Sequence, residues 1–166
     1  MPTTVRPATA DDVPALTEVY AHHVLTGTAT FDVDPPDEAA RREWLAGHAG
    51  GPHRVVVAEV DGRVQGFAAS SRFRPRAAYD TSVETSVYLR AGAVGQGLGS
   101  ALYAGLFDAL ADQGLHRAYA AVALPNPASE ALHRRFGFAV VGTLGEVGFK
   151  FGRFHDVRWF EKPLAP

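Results

Sequence analysis

Two stretches of this chain hold residue types at spacings that could do chemistry. The first is Val83-Glu84-Thr85-Ser86-Val87-Tyr88-Leu89, followed by Gly95-Gln96-Gly97-Leu98-Gly99-Ser100. It reads as strand, glycine-rich loop and helix start. Glycines permit close backbone approach, and the first helical turn presents unpaired N–H groups at the positive end of the helix dipole. Such a cradle suits a phosphate anion; the alternative is a turn that only reverses the chain. Two nucleotide patterns fit it poorly. A dinucleotide loop needs glycine where Ser100 stands, and a P-loop needs a Lys-Ser/Thr pair that this loop lacks. Upstream, Glu84 shares a strand face with Ser82, Ser86 and Tyr88, opposite Val83, Thr85, Val87 and Leu89. On a cleft face its carboxylate could accept the proton of an amine attacking a carbonyl carbon. On an open face it is a solvated charge.

The second stretch is Leu132-His133-Arg134-Arg135. An imidazole there could serve as acid or base, or could simply be a helix histidine. Arg72, Arg74 and Arg76 precede Tyr79, and guanidinium forks suit a carboxylate or phosphinate; such a run is equally a solvated loop. His22-His23 is not read as a metal site, because neighbours on a helix point about 100° apart and no carboxylate–histidine pattern accompanies them. No cysteine is present, which excludes disulfides, thiolate metal ligands and a cysteinyl acyl-enzyme, though not a serine one.

The elements that must position these residues follow from periodicity. At 166 residues, with 46% hydrophobic and 20% charged residues, the chain is expected to be one globular domain over 1–166. A net charge of −2 argues against a generally basic nucleic-acid binder. No apolar stretch reaches the length of a membrane span or leader, so a cytoplasmic protein is expected. Thr4–Ala8 reads as a strand. Asp11 and Asp12 with Pro14 open a helix carrying Val13, Leu16, Val19, Tyr20 and His23. Pro35-Pro36-Asp37 opens a second helix with Trp44 and Leu45 on its buried face. Arg54–Val60 and Val64–Ser71 are strands joined by Asp61-Gly62, the pair a tight hairpin wants. After the strand Ser82–Leu89, the leucines 98, 102, 106 and 110 mark a helix running to Gly114. A strand over His116–Leu124 and a short helix over Ala128–Phe136 come next. Strands near Ala139–Val147 and Asp156–Lys162, with a loop around Gly152, complete an α+β fold: a mixed sheet flanked by helices. Phe149, Phe151, Phe154, Trp159 and Phe160 are expected in the core or in a subunit contact.

In this order the motifs resemble the GNAT N-acetyltransferases, and within them the phosphinothricin and methionine sulfone/sulfoximine N-acetyltransferase group. The likeness rests on Ala78-Tyr79-Asp80, Val83–Tyr88, Gly97-Leu98-Gly99-Ser100-Ala101-Leu102-Tyr103 and Leu124-Pro125-Asn126. It continues through Leu132-His133, Phe136-Gly137-Phe138, Val147-Gly148-Phe149-Lys150 and His155-Asp156-Val157. The resemblance implies a mostly antiparallel sheet with splayed central strands, and acetyl-CoA as cosubstrate with no metal. It implies that Gly95, Gln96, Gly97, Leu98, Gly99 and Ser100 bind the pyrophosphate through backbone groups. Val87, Tyr88 and Leu89 would pair with the pantetheine arm, and Asn126 would contact the same arm. Glu84 would be the general base and His133 a second base or the acid, with Tyr88 and Tyr103 as other possible acids. Phe31, Arg72, Arg74 and Tyr79 would line or clamp a small amino-acid-like acceptor. A homodimer is implied as well. One departure stands out: where the family usually has Arg or Gln ahead of the Gly97-Leu98-Gly99 glycines, this chain has Val94. Rival readings are an acetyltransferase of the same fold acting on a protein N-terminus, a lysine or a polyamine, and a non-catalytic acyl-CoA sensor.

Overall fold

The computed structural model describes residues 2–164; Met1, Ala165 and Pro166, the ends of the expected 1–166 domain, lie outside them. The elements are β1 (Thr3–Pro7), α1 (Val13–Thr26), α2 (Glu38–Ala46), β2 (Arg54–Val60), β3 (Arg63–Arg72), β4 (Ser82–Leu89), α3 (Leu98–Leu110), β5 (Arg117–Ala123), α4 (Pro127–Arg135), β6 (Ala139–Lys150) and β7 (Arg153–Pro163). They build a seven-stranded sheet in the order β1-β2-β3-β4-β5-β7-β6. Every pairing is antiparallel except β4 with β5.

That one parallel pair creates the site. Only Ser82–Glu84 and Arg117–Tyr119 are in register; past Glu84 the two strands part, and the rest of β4 pairs with β3 alone. The expected splay of the central strands is therefore present.

Both sheet faces are covered, so β2 is apolar and buried from Val55 to Ala58 without alternation. On one face α3 lays Leu98, Leu102, Leu106 and Leu110, all at most 3% exposed, against Val56, Ala68, Val83 and Ala118. Truncating one of these leucines to alanine should cost about 2–5 kcal/mol. On the other face α1 sets Leu16 and Val19 against Val57, Phe67 and Ala69. The β2–β3 turn places Asp61 at φ 51° and Gly62 at φ 73°, the mirror-image turn its sequence predicts.

Three local readings change. A 3₁₀ turn over Ala10–Asp12 precedes α1, and the Asp12 side chain reaches Arg6 at 2.8 and 2.9 Å instead of only capping the helix. In α2, Trp44 and Leu45 are half-buried, whereas Arg41 is 4% exposed. The C-terminal loop is a tight turn at Phe151-Gly152, so β6 and β7 run on through residues 148–155. Phe160 is in the core as expected, but Phe149, Phe151 and Phe154 are about 60% exposed.

Candidate active site

The parted strands open into a cleft of about 890 Å³. It is walled by Glu84–Leu89 of β4, Ala121–Ala123 of β5, the loop before α3, the start of α4, and residues 28–31 after α1.

At one end is the anion cradle. Gly97 caps α3 at φ 78°, a left-handed conformation that L side chains avoid. It turns the chain so that the amides of Leu98, Gly99 and Ser100 form the first helical turn, and none of the three donates to a carbonyl of the described residues. The first amide in use is that of Ala101, to Gly97 O at 3.1 Å. Three free amides at a positive helix end fit a phosphate group. Val94 is 64% exposed and gives the cradle no polar group. Gln96 folds back to the Gly92 carbonyl at 3.0 Å. A cation comes from elsewhere: Arg135, at the end of α4, donates to Ser100 Oγ at 3.3 Å and lines the cleft. The motif reading missed it because α4 follows the loop by some thirty residues; the only signal was the basic run after His133.

Gly95, Gly97, Gly99, Ser100, Val87, Tyr88, Leu89 and Asn126 all face the cleft, whereas Leu98 turns its side chain into the core and offers only its amide. Asn126 Oδ1 caps α4 by accepting from Ser129 N at 3.1 Å, leaving its amide NH₂ to point elsewhere. The Leu89 carbonyl is taken by His23, whose Nε2 donates to it at 2.7 Å. His23 thereby ties α1 to the end of β4, and burial holds its pKa below the ordinary value.

Glu84 lines the cleft with Ser86 and Tyr88, and the splayed end of β4 brings Thr85, Val87 and Leu89 to the same wall. Burial raises its pKa, and the charge of Arg74 partly opposes the rise. A carboxylate so placed is a stronger base than a solvated one.

His133 lines the cleft but is 5% exposed, and both of its ring nitrogens are engaged. Nδ1 donates to Ser129 O at 2.7 Å, so Nε2 of the neutral ring accepts from Tyr103 Oη at 2.7 Å. Tyr103 Oη in turn accepts from Thr85 Oγ1 at 3.0 Å. Desolvation lowers the His133 pKa and raises that of Tyr103, so the pair stays neutral. Acid or base work by His133 would require one of these bonds to open.

Phe31 reaches the cleft wall, and the loop that carries it is pinned by Lys150. The Lys150 ammonium, 4% exposed, donates to Gly27 O and Thr30 O at 2.9 Å each. His155 Nε2 donates to Lys150 O at 2.9 Å. Arg72, Arg74 and Tyr79 are exposed and do not line the cleft. Arg72 pairs with Asp80 at 3.1 Å, and Arg74 lies over the ring of Phe73 at 4.4 Å. Among the described residues no three His, Cys, Asp or Glu side chains gather as a metal-binding group, and no helix is long and apolar enough to cross a membrane.

Fold and cleft together define an acyltransferase domain. The chain belongs to the acetyltransferase (GNAT) family, whose model matches residues 16–138. It is 53% identical to a phosphinothricin N-acetyltransferase of Streptomyces coelicolor, over 96% of this chain and 95% of that one. It is 36% identical to an L-methionine sulfoximine/L-methionine sulfone acetyltransferase of Pseudomonas paraeruginosa, over 100% and 97%. The crystal structure of a phosphinothricin acetyltransferase from Sinorhizobium meliloti, in complex with AcCoA, superposes with a TM-score of 0.95 at 38% identity, covering 99% of this chain and 90% of that one.

Proposed function

We propose that this protein transfers an acetyl group from acetyl-CoA to the primary amine of a small amino-acid-like acceptor of the phosphinothricin, methionine sulfone or methionine sulfoximine type, by direct attack with both substrates bound. The observation that carries this reading is the position of Glu84. A desolvated carboxylate stands on the wall of a cleft that runs between parted strands, and the same cleft begins at three unpaired helix-start amides. The named activities of the relatives support the acceptor class.

Acetyl-CoA would supply an activated acyl carbon as a thioester. The amides of Leu98, Gly99 and Ser100, with Arg135 beside them, hold its diphosphate. The backbone of Val87–Leu89 and the side chain of Asn126 border the channel for its arm. Glu84 takes the proton of the acceptor ammonium, directly or through a water, which frees the lone pair. A C–N bond then forms as the C–S bond breaks, and the thiolate leaves to be protonated. His133 and Tyr103 enter as a neutral pair that fixes α4 against α3, and so fixes the cradle relative to Asn126. Phe31 closes the acceptor end. Holding two reactants in register contributes as much as any single group.

A homodimer fits the same reading. The β6–β7 hairpin exposes Val140, Val141, Leu144, Val147, Phe149 and Phe154, each 47–61% accessible, an apolar surface of the kind that marks subunit contacts.

The test is thiol release from acetyl-CoA with a panel of amines. Phosphinothricin, methionine sulfone and methionine sulfoximine should be turned over, and peptides and polyamines should not. Binding of coenzyme A without turnover of any amine would remove the enzymatic reading and leave the sensor.

A further inference from the structure

A second cavity, of about 280 Å³, lies on the α1/α2 side of the sheet. It meets the main cleft at β4, because Ser86 and Tyr88 line both. Its other walls come from Tyr20, Asp32, Pro36, Arg41, Trp44 and Ser71, among others. Arg41 is the unusual member. It is 4% exposed, its Nε is shut off from solvent with no hydrogen-bond partner, and its guanidinium forms no ion pair with any described residue. The rings of Tyr20 and Trp44 lie under it at 4.2 and 4.6 Å, and Asp32 acts on its charge without an ion pair. Cation–π contact recovers part of the lost hydration, but a buried guanidinium with open donors lacks its natural complement, a two-oxygen anion.

An obvious internal partner exists and is not used. Asp32 lines the same cavity, yet its carboxylate accepts from Tyr20 Oη at 2.6 Å and makes no salt bridge with Arg41. One cation and one anion thus flank the cavity without pairing, which is the complement of a zwitterion. Asp32 also follows Phe31, so the loop that closes the main cleft at residue 31 walls this cavity at residue 32.

We propose that Arg41 is the anion-recognition residue of the acceptor site, receiving an acidic head of the amino-acid substrate in the second cavity while the amine projects past Ser86 toward Glu84. The inference rests on the amino-acid acceptor proposed above and adds the residue that selects it. The recognised chemistry is a planar or tetrahedral oxyanion, supplied either by the α-carboxylate or by an acidic side-chain terminus.

The experiment measures kcat/KM for matched acceptors: an amino acid, its α-carboxamide, and a partner whose side-chain acid is replaced by a neutral isostere. Wild-type protein should prefer the anionic member of one pair by roughly 10- to 100-fold, the worth of a charge-assisted bidentate contact. In Arg41→Gln that preference should collapse toward one, mainly through KM, and the pair in which it collapses identifies the bound end. Arg41→Lys, which keeps the charge and loses the fork, should retain part of it and serves if the Gln variant does not fold. If wild-type protein shows no preference in either pair, or if a folded Arg41 variant keeps the full preference, the inference is overturned while N-acetyl transfer stands. If wild-type protein acetylates no amino acid, the functional reading fails and this one with it.

Discussion

The Phe31 ring lies in the space that a Cβ on Gly148 would need. Three of its ring carbons are the nearest atoms to that point, so the loop carrying Phe31 and β6 interlock through the absence of one methyl group. Lys150, two residues on, holds the same loop from beneath by its two carbonyl contacts.

Gly148→Ala should therefore push Phe31 off β6. Because Gly148 is buried against the Phe31 ring, some stability should be lost as well, and the end of the cleft walled by Phe31 should loosen. The expected result is a KM for the acceptor raised by roughly tenfold, with coenzyme A affinity within a factor of two. Parallel titrations of both substrates check this. Unaltered acceptor kinetics would show that Phe31 does not shape the pocket.

Glu84 carries the pH prediction. Burial raises its pKa, so the acid limb of kcat/KM should lie above the ordinary glutamate value of 4.5. Below its pKa the group is protonated and cannot accept the amine's proton, so the rate falls as pH falls. Glu84→Gln should lower kcat by roughly 10²- to 10⁴-fold and abolish that limb, leaving only the ionisation of the amine itself. A pH–rate profile of both proteins decides it; a Gln variant with the wild-type limb removes Glu84 from the chemistry.

The Tyr103–His133 pair makes a contrasting prediction. Each group satisfies the other away from solvent, so Tyr103→Phe strips the donor from His133 Nε2 and should cost about 1–3 kcal/mol of stability. If the pair only fixes α4, kcat should fall no more than a few-fold and the pH–rate limbs should stay in place. Urea unfolding and the pH profile, measured together, separate support from proton transfer. A basic limb that moves in this variant would return His133 to the chemistry.

Much of this arrangement was legible in the sequence, because local rules decide it. Alternation put Glu84 on a face with Ser86 and Tyr88, the leucine period set α3, and Asp61-Gly62 fixed a hairpin. The parts that escaped depend on long-range packing. Nothing around Arg41 says that α2 buries it, since Trp44 and Leu45 are the apolar residues of that helix. Arg135 reaches Ser100 only after α4 is laid beside α3. The tight Phe151-Gly152 turn escapes the sequence because Phe149, Phe151 and Phe154 beside it fit a core or a subunit contact equally, and neither pattern fixes the length of the connection. Arg72, Arg74 and Tyr79 lie exposed outside the cleft, Arg72 paired with Asp80 and Arg74 over Phe73, local contacts that residue type and spacing do not encode.

Arg135 yields a compensation test. It is the cation at a cradle whose own loop offers Val94. Arg135→Ala should raise the KM for acetyl-CoA by roughly 3- to 10-fold, more at low ionic strength than at high, because an exposed charge is screened by salt. Val94→Arg, which puts a guanidinium on the cradle's own loop, should restore most of the loss in the double variant. Calorimetric titration with coenzyme A at two salt concentrations reads both effects. An Arg135→Ala protein with wild-type affinity at low salt would assign the diphosphate to the amides alone.

Acid stability should depend on Asp12. Burial by itself would raise the Asp12 pKa, but hydrogen bonds from Arg6 and from the Thr9 amide outweigh it, and the net position is below 3.8. A carboxyl depressed in the folded state adds stability that is complete above its unfolded pKa of about 3.9 and drains away as pH falls through the lower folded value. The same Arg6 guanidinium bonds Glu59 at 2.9 Å, so the network ties β1, the start of α1 and β2 together. Asp12→Asn should lose about 1–3 kcal/mol at pH 7, since Asp12 is 5% exposed and its bonds are charge-assisted. As pH is lowered from 5 the two proteins should converge, because the wild type gives up an interaction that the variant never had. Urea unfolding at pH 7, 5 and 3.5 measures the gap. A gap that stays constant across that range would mean that the contribution of Asp12 is packing and not charge.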